Sequence, residues 1–90
     1  MKIISGDKLN YTSLVQENPC VFLGARLIPS DDDDYLVIYD SNLGPEGKII
    51  AYLDKENQSV MFLPDGIPCS YGIYAFLPRD GEHIIYFGHY

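Results

Sequence analysis

Six short runs of apolar and aromatic residues, separated by clusters of turn residues, fill the chain from Val21 to Tyr90. Runs of this length that are rich in β-branched and aromatic side chains are typical of β-strands. Their starts recur about every 12 residues, which is too short an interval for crossover helices and favours antiparallel pairing of neighbouring runs. The predicted strands cover residues 21–28, 35–39, 48–53, 59–63, 71–77 and 83–90. Gly24 predicts a bulge or bend in the first of these strands, and the proline and glycine residues of 64–68 predict a turn.

The residues before Val21 predict one strand and one helix. Residues 2–4 form a short strand-like run that ends near a glycine. Leu9, Leu14 and Val15 have a helical spacing, and Pro19 would stop such a helix after about two or three turns. We therefore predict an α+β fold, mostly β, in which an antiparallel five- to six-stranded meander forms a small barrel or strongly bent sheet beside one short N-terminal helix. Ninety residues suffice for a single domain, which we assign to residues 1–90.

Alternation within the second predicted strand indicates how it faces the core. One face carries Tyr35, Val37 and Tyr39, and the other carries Leu36 and Ile38. Neither face is clearly polar, whereas a sheet with one solvated face alternates more strictly. We expect sheet curvature, the predicted helix or another protein to cover the second face.

Composition disfavours several kinds of partner. With 13 acidic and 6 basic residues the net charge is −7, which disfavours binding to phosphate backbones or anionic membranes. It favours a basic protein as partner, with charge steering that weakens as salt rises.

Gly6 and Asp7 interrupt the first apolar run before a signal-peptide core forms, and no run approaches the length of a membrane span. We interpret Cys20 and Cys69 as buried thiols of a protein in a reducing compartment. We therefore expect a cytoplasmic protein.

A run of four aspartates is the most conspicuous local motif. Adjacent carboxylates repel one another, so a cation or a basic partner would relieve the repulsion. The run lacks the glycine and the terminal glutamate of a calcium loop, and the alternative interpretation is a solvated loop that discourages strand pairing between molecules. Tyrosines in the neighbouring strands suit an interface. We predict no metal site and no cofactor. The predicted partner-binding residues are Asp31, Asp32, Asp33, Asp34, Tyr35, Tyr39, Asp40 and Tyr52.

Catalysis is not predicted from these residues. His83 and His89 lie six positions apart, about 20 Å along a strand, which is too far for both to bind one metal ion. The sequence contains no Gly-x-Ser-x-Gly elbow, no phosphate-binding loop and no dinucleotide-binding glycine pattern. We therefore expect that the protein is not an enzyme.

Gly72-Ile73-Tyr74, followed by Tyr86-Phe87-Gly88, resembles the paired-strand signature of the GIY-YIG endonucleases. In that family a helical arginine and a metal-binding glutamate follow the signature and complete the active site. Only His89 and Tyr90 follow it in this sequence, so the resemblance does not imply a complete nuclease site.

These observations favour a binding protein over an enzyme. We predict a small acidic protein-binding module, an inhibitor of the immunity or viral anti-defence type, which occludes a basic, nucleic-acid-handling partner such as a nuclease. It would bind no nucleic acid directly and no membrane, and a homodimer is compatible with its surface. The alternative is a structural or assembly subunit that forms homo-oligomers, because uncovered apolar faces predict self-association equally well.

Overall fold

The computed structural model describes residues 2–89 and contains eight β-strands in two antiparallel four-stranded sheets. The first sheet has the strand order β1-β8-β3-β6, and the second has the order β2-β7-β4-β5. Residues 2–89 contain no helix, and so none that is long and apolar enough to cross a membrane. The strands are β1 (Lys2–Ser5), β2 (Ser13–Gln16), β3 (Cys20–Ile28), β4 (Tyr35–Asp40), β5 (Lys48–Asp54), β6 (Val60–Cys69), β7 (Ile73–Phe76) and β8 (Glu82–His89).

The chain passes from one sheet to the other at every connection except the one between β4 and β5. Those two strands form a hairpin in which Leu36 lies opposite Leu53 and Ile38 lies opposite Ala51. The inner faces of both sheets contribute side chains to one hydrophobic core, so the sheets pack against each other. Core residues of the first sheet include Phe22, Ala25, Leu27, Ile85 and Phe87, and those of the second include Leu36, Ile38, Ala51, Leu53 and Ile73.

The predicted N-terminal helix is wrong. Residues 13–16 form β2, which pairs with β7, and Leu9 forms an isolated bridge with His83. Leu14 is exposed while Val15 packs against the core, which is the alternation of a strand. The predicted helix would have had too few apolar residues on one face to bury much apolar surface. As β2, the same residues gain backbone hydrogen bonds at the edge of a sheet.

The predicted meander and barrel are also wrong. Residues 48–53 and 59–63 read as a hairpin, but β5 pairs with β4 and β6 pairs with β3 in the other sheet. The same holds for residues 71–77 and 83–90, because β7 and β8 lie in different sheets. The two halves of the nuclease-like signature therefore do not pair. A second layer buries apolar side chains that one bent sheet would have left exposed.

The positions of the predicted strands are confirmed, apart from Tyr90, which lies outside the described residues, and apart from the strand predicted at 59–63, which extends to Cys69. The paired strands are antiparallel, as predicted, but within residues 2–89 only β4 and β5 pair as consecutive strands. Gly24 is the predicted irregularity, since the pairing of β3 shifts between Phe22 and Gly24. The turn predicted at residues 64–68 is instead part of β6. Phe22 lies opposite Ile67 while Gly24 lies opposite Phe62, so the intervening residues of β6 form a wide bulge.

Candidate functional site

The outer face of the second sheet carries large apolar and aromatic side chains on all four strands. Tyr39 lies opposite Ile49 on β5 and opposite Tyr74 on β7, and Tyr74 lies opposite Leu14 on β2. Residues that pair directly share a face, so these four form a row across the sheet. A second row runs parallel to it through Val37. We define the aromatic face as Leu14, Tyr35, Val37, Tyr39, Ile49, Tyr52, Tyr74 and Phe76.

The aromatic face is packed at its centre and open at its edge. Val37 is 7% exposed, whereas Ile49 and Tyr52 on the edge strand β5 are 57% and 52% exposed. The rings of Tyr35 and Tyr52 stack with centroids 5.9 Å apart and planes inclined by 25°. This stacking holds the two rings in place, which reduces the conformational entropy lost when a partner binds.

A group of acidic loops borders one end of the aromatic face. Tyr35 lies opposite Asp54. Ion pairs join the loops, because Lys55 contacts Asp32 and Arg79 lies 3.7 Å from Asp33. We define the acidic end as residues 31–34, 54–56 and 79–80. It holds seven acidic and two basic side chains, so it carries a net charge of −5 out of the −7 of the whole chain.

Asp34 belongs to the interior of the acidic end. It is 1% exposed, and its Oδ2 accepts hydrogen bonds from the Ser30 amide at 2.7 Å, the Ser30 hydroxyl at 3.1 Å and the Asp31 amide at 2.9 Å. Its Oδ1 accepts one from the Asp80 amide at 3.2 Å. These bonds, above all that from the Asp31 amide, lower the pKa of the Asp34 carboxyl although burial opposes them. Asp34 therefore shapes the loops and does not present its carboxylate to a partner.

Asp40 has a similar internal role at the other end of β4. It is 8% exposed and accepts hydrogen bonds from the amides of Ser70 and Tyr71, each at 2.9 Å, and from that of Gly72 at 3.4 Å. The carboxylate thus joins the end of β4 to the connection between β6 and β7. We exclude it from the candidate surface.

The structure brings the remaining predicted residues together. Tyr35, Tyr39 and Tyr52 share the aromatic face, and the exposed Asp31, Asp32 and Asp33 lie at its acidic end. The sequence prediction missed the other members of this face. Alternation in the strand predicted at 71–77 puts Tyr74 and Phe76 on one face of that strand. Nothing in the sequence placed that strand beside β4. The missed residues are Leu14, Val37, Ile49, Tyr74 and Phe76.

Three carboxylates approach one another closely enough to suggest a cation site. Asp31, Asp34 and Asp80 each offer an oxygen within 4.8 Å of the others, the one such group among residues 2–89. Both oxygens of Asp34 already accept hydrogen bonds from backbone amides. A cation would have to compete with these donors, so the arrangement is explained by the loop structure.

The two histidines have different surroundings. His83 lines a cleft of about 420 Å³ between the edge strands β1 and β2. Its Nε2 lies 2.9 Å from the Tyr11 carbonyl, which can only accept, so Nε2 carries a proton and donates. Burial lowers the pKa of His83, and its Nδ1 has no hydrogen-bond partner within the described part of the chain. His89 packs edge-on against Phe87 and is hydrogen-bonded to Gln16.

The two cysteines meet in the core. Cys20 on β3 lies directly opposite Cys69 on β6, and both are buried free thiols. The Cys69 thiol donates to the Ile67 carbonyl at 3.6 Å. The interaction of the two neighbouring thiols lowers the pKa of Cys20 and raises that of Cys69, and burial raises both. They belong to the first sheet and take no part in the aromatic face.

Comparison of this chain with protein-family models, curated proteins and solved structures found no match. The aromatic face and the acidic end are therefore the features on which a function rests.

Proposed function

We propose that the protein is a protein-binding module that docks its aromatic face on the basic surface of another protein. Within that proposal, the module acts as an inhibitor that covers the nucleic-acid site of its partner. The observation that supports it best is the position of the acidic end against an aromatic sheet face. Occlusion requires only affinity and position, so no nucleophile or metal ion is needed.

The composition of the aromatic face supports docking. Its eight residues include no charged side chain, and Asp54, opposite Tyr35, lies where the face meets the acidic end. Three of the eight are more than two-fifths exposed. Four more of them are partly exposed, so the apolar and aromatic surface spans the sheet from one edge strand to the other. Large apolar surface areas of this kind mark interaction sites. Tyrosine is favoured in such patches because it buries a large area at low entropic cost and keeps a hydroxyl group for hydrogen bonding.

The charge distribution supports a basic partner. Most of the negative charge of the chain lies at the acidic end, and Lys55 and Arg79 are each paired with an aspartate there. Complementary charge at the rim of an interface increases the association rate and excludes partners of the same sign. Nucleic-acid binding would require a basic groove beside the aromatic rings. Here the neighbouring loops are acidic.

A capture experiment with two matched variants tests the proposal. The face variant carries Ile49→Ser and Tyr52→Ser on β5. The control variant carries Val60→Ser and Phe62→Ser on β6, the edge strand of the other sheet, where the side chains are similarly exposed. Proteins retained by the wild type from native host lysate are identified by mass spectrometry and purified, and their affinity for each variant is measured by calorimetry.

We expect a basic protein that binds the wild type and the control variant alike. Its affinity for the face variant should fall by at least about tenfold, because two interface anchors are truncated. The affinity should also decrease as salt rises. If the partner is a nuclease, wild type and control should block cleavage and the face variant should not. If the captured partner binds the wild type, the control variant and the face variant with equal affinity, the proposal is contradicted.

Sedimentation of the same proteins tests the alternative, a homo-oligomeric assembly subunit. The wild type should remain unassociated at micromolar concentration, since each copy carries a net charge of −7. Assembly that grows with concentration and disappears in the face variant would show that the face binds a second copy, and would overturn the proposed function.

A further inference from the structure

We propose that Tyr35, Tyr52 and Asp54 bind the guanidinium group of an arginine side chain from the partner; this rests on the proposed function and names its anchor. We call these three residues the guanidinium site. It lies where the aromatic face meets the acidic end. The occupant is an arginine on the basic surface that the module covers.

The first supporting feature is the ring pair. Tyr35 and Tyr52 stack at 5.9 Å between centroids, and Tyr52 remains about half exposed on the edge strand. Part of the Tyr52 ring is therefore open to an approaching group. A cation placed over a tyrosine ring is attracted by the negative face of the π system.

The second feature is a carboxylate on the same face. Asp54 follows Tyr52 by two residues, so their Cα atoms lie about 7 Å apart on one face of the strand. Asp54 also lies directly opposite Tyr35. Hydrogen bonds from the Asn57 amide at 2.6 Å and from its side chain at 2.9 Å stabilise the charged form of Asp54. Each carboxylate oxygen keeps a further lone pair for a donor.

The chemistry of this pair favours arginine over lysine. A guanidinium is flat and weakly hydrated, so it can lie on a ring while its edge donates to a carboxylate. A lysine ammonium is strongly hydrated and cannot stack. The neighbouring loops already attract cations, since Lys55 is paired with Asp32 beside the site. Tyr52 presents a ring and Asp54 presents an acceptor, and no basic side chain among the described residues pairs with Asp54.

The test is a titration followed by ¹H–¹⁵N NMR with two probes, N-acetyl-arginine amide and N-acetyl-lysine amide. We expect saturable shifts of the amides of Tyr35, Tyr52 and Asp54 with the arginine probe. The affinity for the lysine probe should be at least about threefold lower, the size of effect expected for cation–π contact at an exposed site. Equal affinity for both probes, or shifts at other residues only, would overturn the proposal.

Three variants separate recognition from unspecific attraction. Tyr52→Phe keeps the ring and should keep the arginine preference, whereas Tyr52→Leu should abolish it. Tyr71→Leu is the control, because Tyr71 is at least as exposed as Tyr52 but lies outside the site. Well-dispersed spectra will show that each variant is folded. An arginine preference that survives Tyr52→Leu would refute the site.

The probes need no protein partner, so the two proposals fail separately. If no arginine preference appears while the face variant still loses its partner, the guanidinium site is wrong and the proposed function stands. If the arginine preference appears but the captured partner binds all variants alike, the proposed function is wrong and the site remains.

Discussion

Asp34 and Asp40 are buried carboxylates that organise loops. They flank β4, with Asp34 just before it and Asp40 as its last residue. Each accepts hydrogen bonds from amides in segments that are distant in sequence, Asp80 in one case and residues 70–72 in the other. These amides lie at connections between sheets, where their N–H groups have no strand partner, and the carboxylates supply the acceptors that such partly buried N–H groups require.

Replacing Asp40 should destabilise the fold. Asp40→Asn keeps one acceptor oxygen but turns an NH₂ group towards an amide donor, so at least one of the three backbone N–H groups loses its acceptor. We expect the free energy of unfolding to fall by about 2–4 kcal/mol. Urea unfolding followed by circular dichroism measures the change. Asp65→Asn is the control, because Asp65 is exposed; equal midpoints for the two variants would contradict this role of Asp40.

Stability should decrease from neutral to acid pH in two steps. His83 has its pKa lowered from 6.5 by burial, so below about pH 6.5 the unfolded chain binds a proton that the folded chain does not. Asp34 has its pKa lowered from 3.8 by hydrogen bonds, so its contribution to stability is present above pH 3.8 and is lost as pH falls through its folded-state pKa. Urea midpoints at pH 8, 5 and 3 measure both steps.

The variant His83→Gln should lack the first of these steps. His89→Gln serves as the comparison and should retain it. If the wild type and His83→Gln lose stability equally between pH 8 and pH 5, the buried neutral imidazole does not contribute to the pH dependence.

At the scale of the strands, bulges decide which residues face the core. Cys20 and Phe22 point into the core before the irregularity in β3, and Ala25 and Leu27 do so after it. The bulge in β6 brings Gly66 against the side chains of Val21 and Leu23. Two buried apolar residues on the outer side of β3 are thus covered by a segment that reads as a turn in the sequence.

Gly66 is needed for this bulge. Its φ of 71° lies in the left-handed region, and a Cβ atom would collide with the Val21 side chain. Gly66→Ala should therefore lower the free energy of unfolding by about 1–3 kcal/mol. Gly44→Ala is the matched control, because its φ is not positive and, apart from its two chain neighbours, no heavy atom of the described residues lies within 4 Å of where a Cβ atom would stand. Equal urea midpoints for the two variants would show that the bulge can rearrange without cost.

At the scale of the whole molecule, the chain alternates between two sheets. Among the eight strands of residues 2–89, only β4 and β5 are consecutive strands that pair, so most strand pairing joins residues that are distant in sequence. The same alternation leaves the outer face of the second sheet uncovered, with the acidic end beside it.

This topology predicts slow folding. Most strand pairs can form only after the long stretch of chain between the two strands has been closed into a loop, which costs entropy. Refolding should therefore take milliseconds to seconds, as is typical of β-sandwiches. Stopped-flow refolding from urea, followed by tyrosine fluorescence, measures the rate. Refolding within microseconds would be incompatible with pairing between such distant strands.

Local features of the sequence determined the strands and their faces. Alternation placed Tyr35, Val37 and Tyr39 together, and the glycine at position 24 marked an irregularity, because both depend on residues a few positions apart. Leu14 and Val15 were too few to distinguish a helix from a strand. Only the tertiary structure decided which strands are neighbours, since each sheet is selected by burial of its inner face against the other. For the same reason Asp33 and Asp34 are equivalent in the sequence and differ in the fold, where the Ser30 and Asp80 amides surround only one of them.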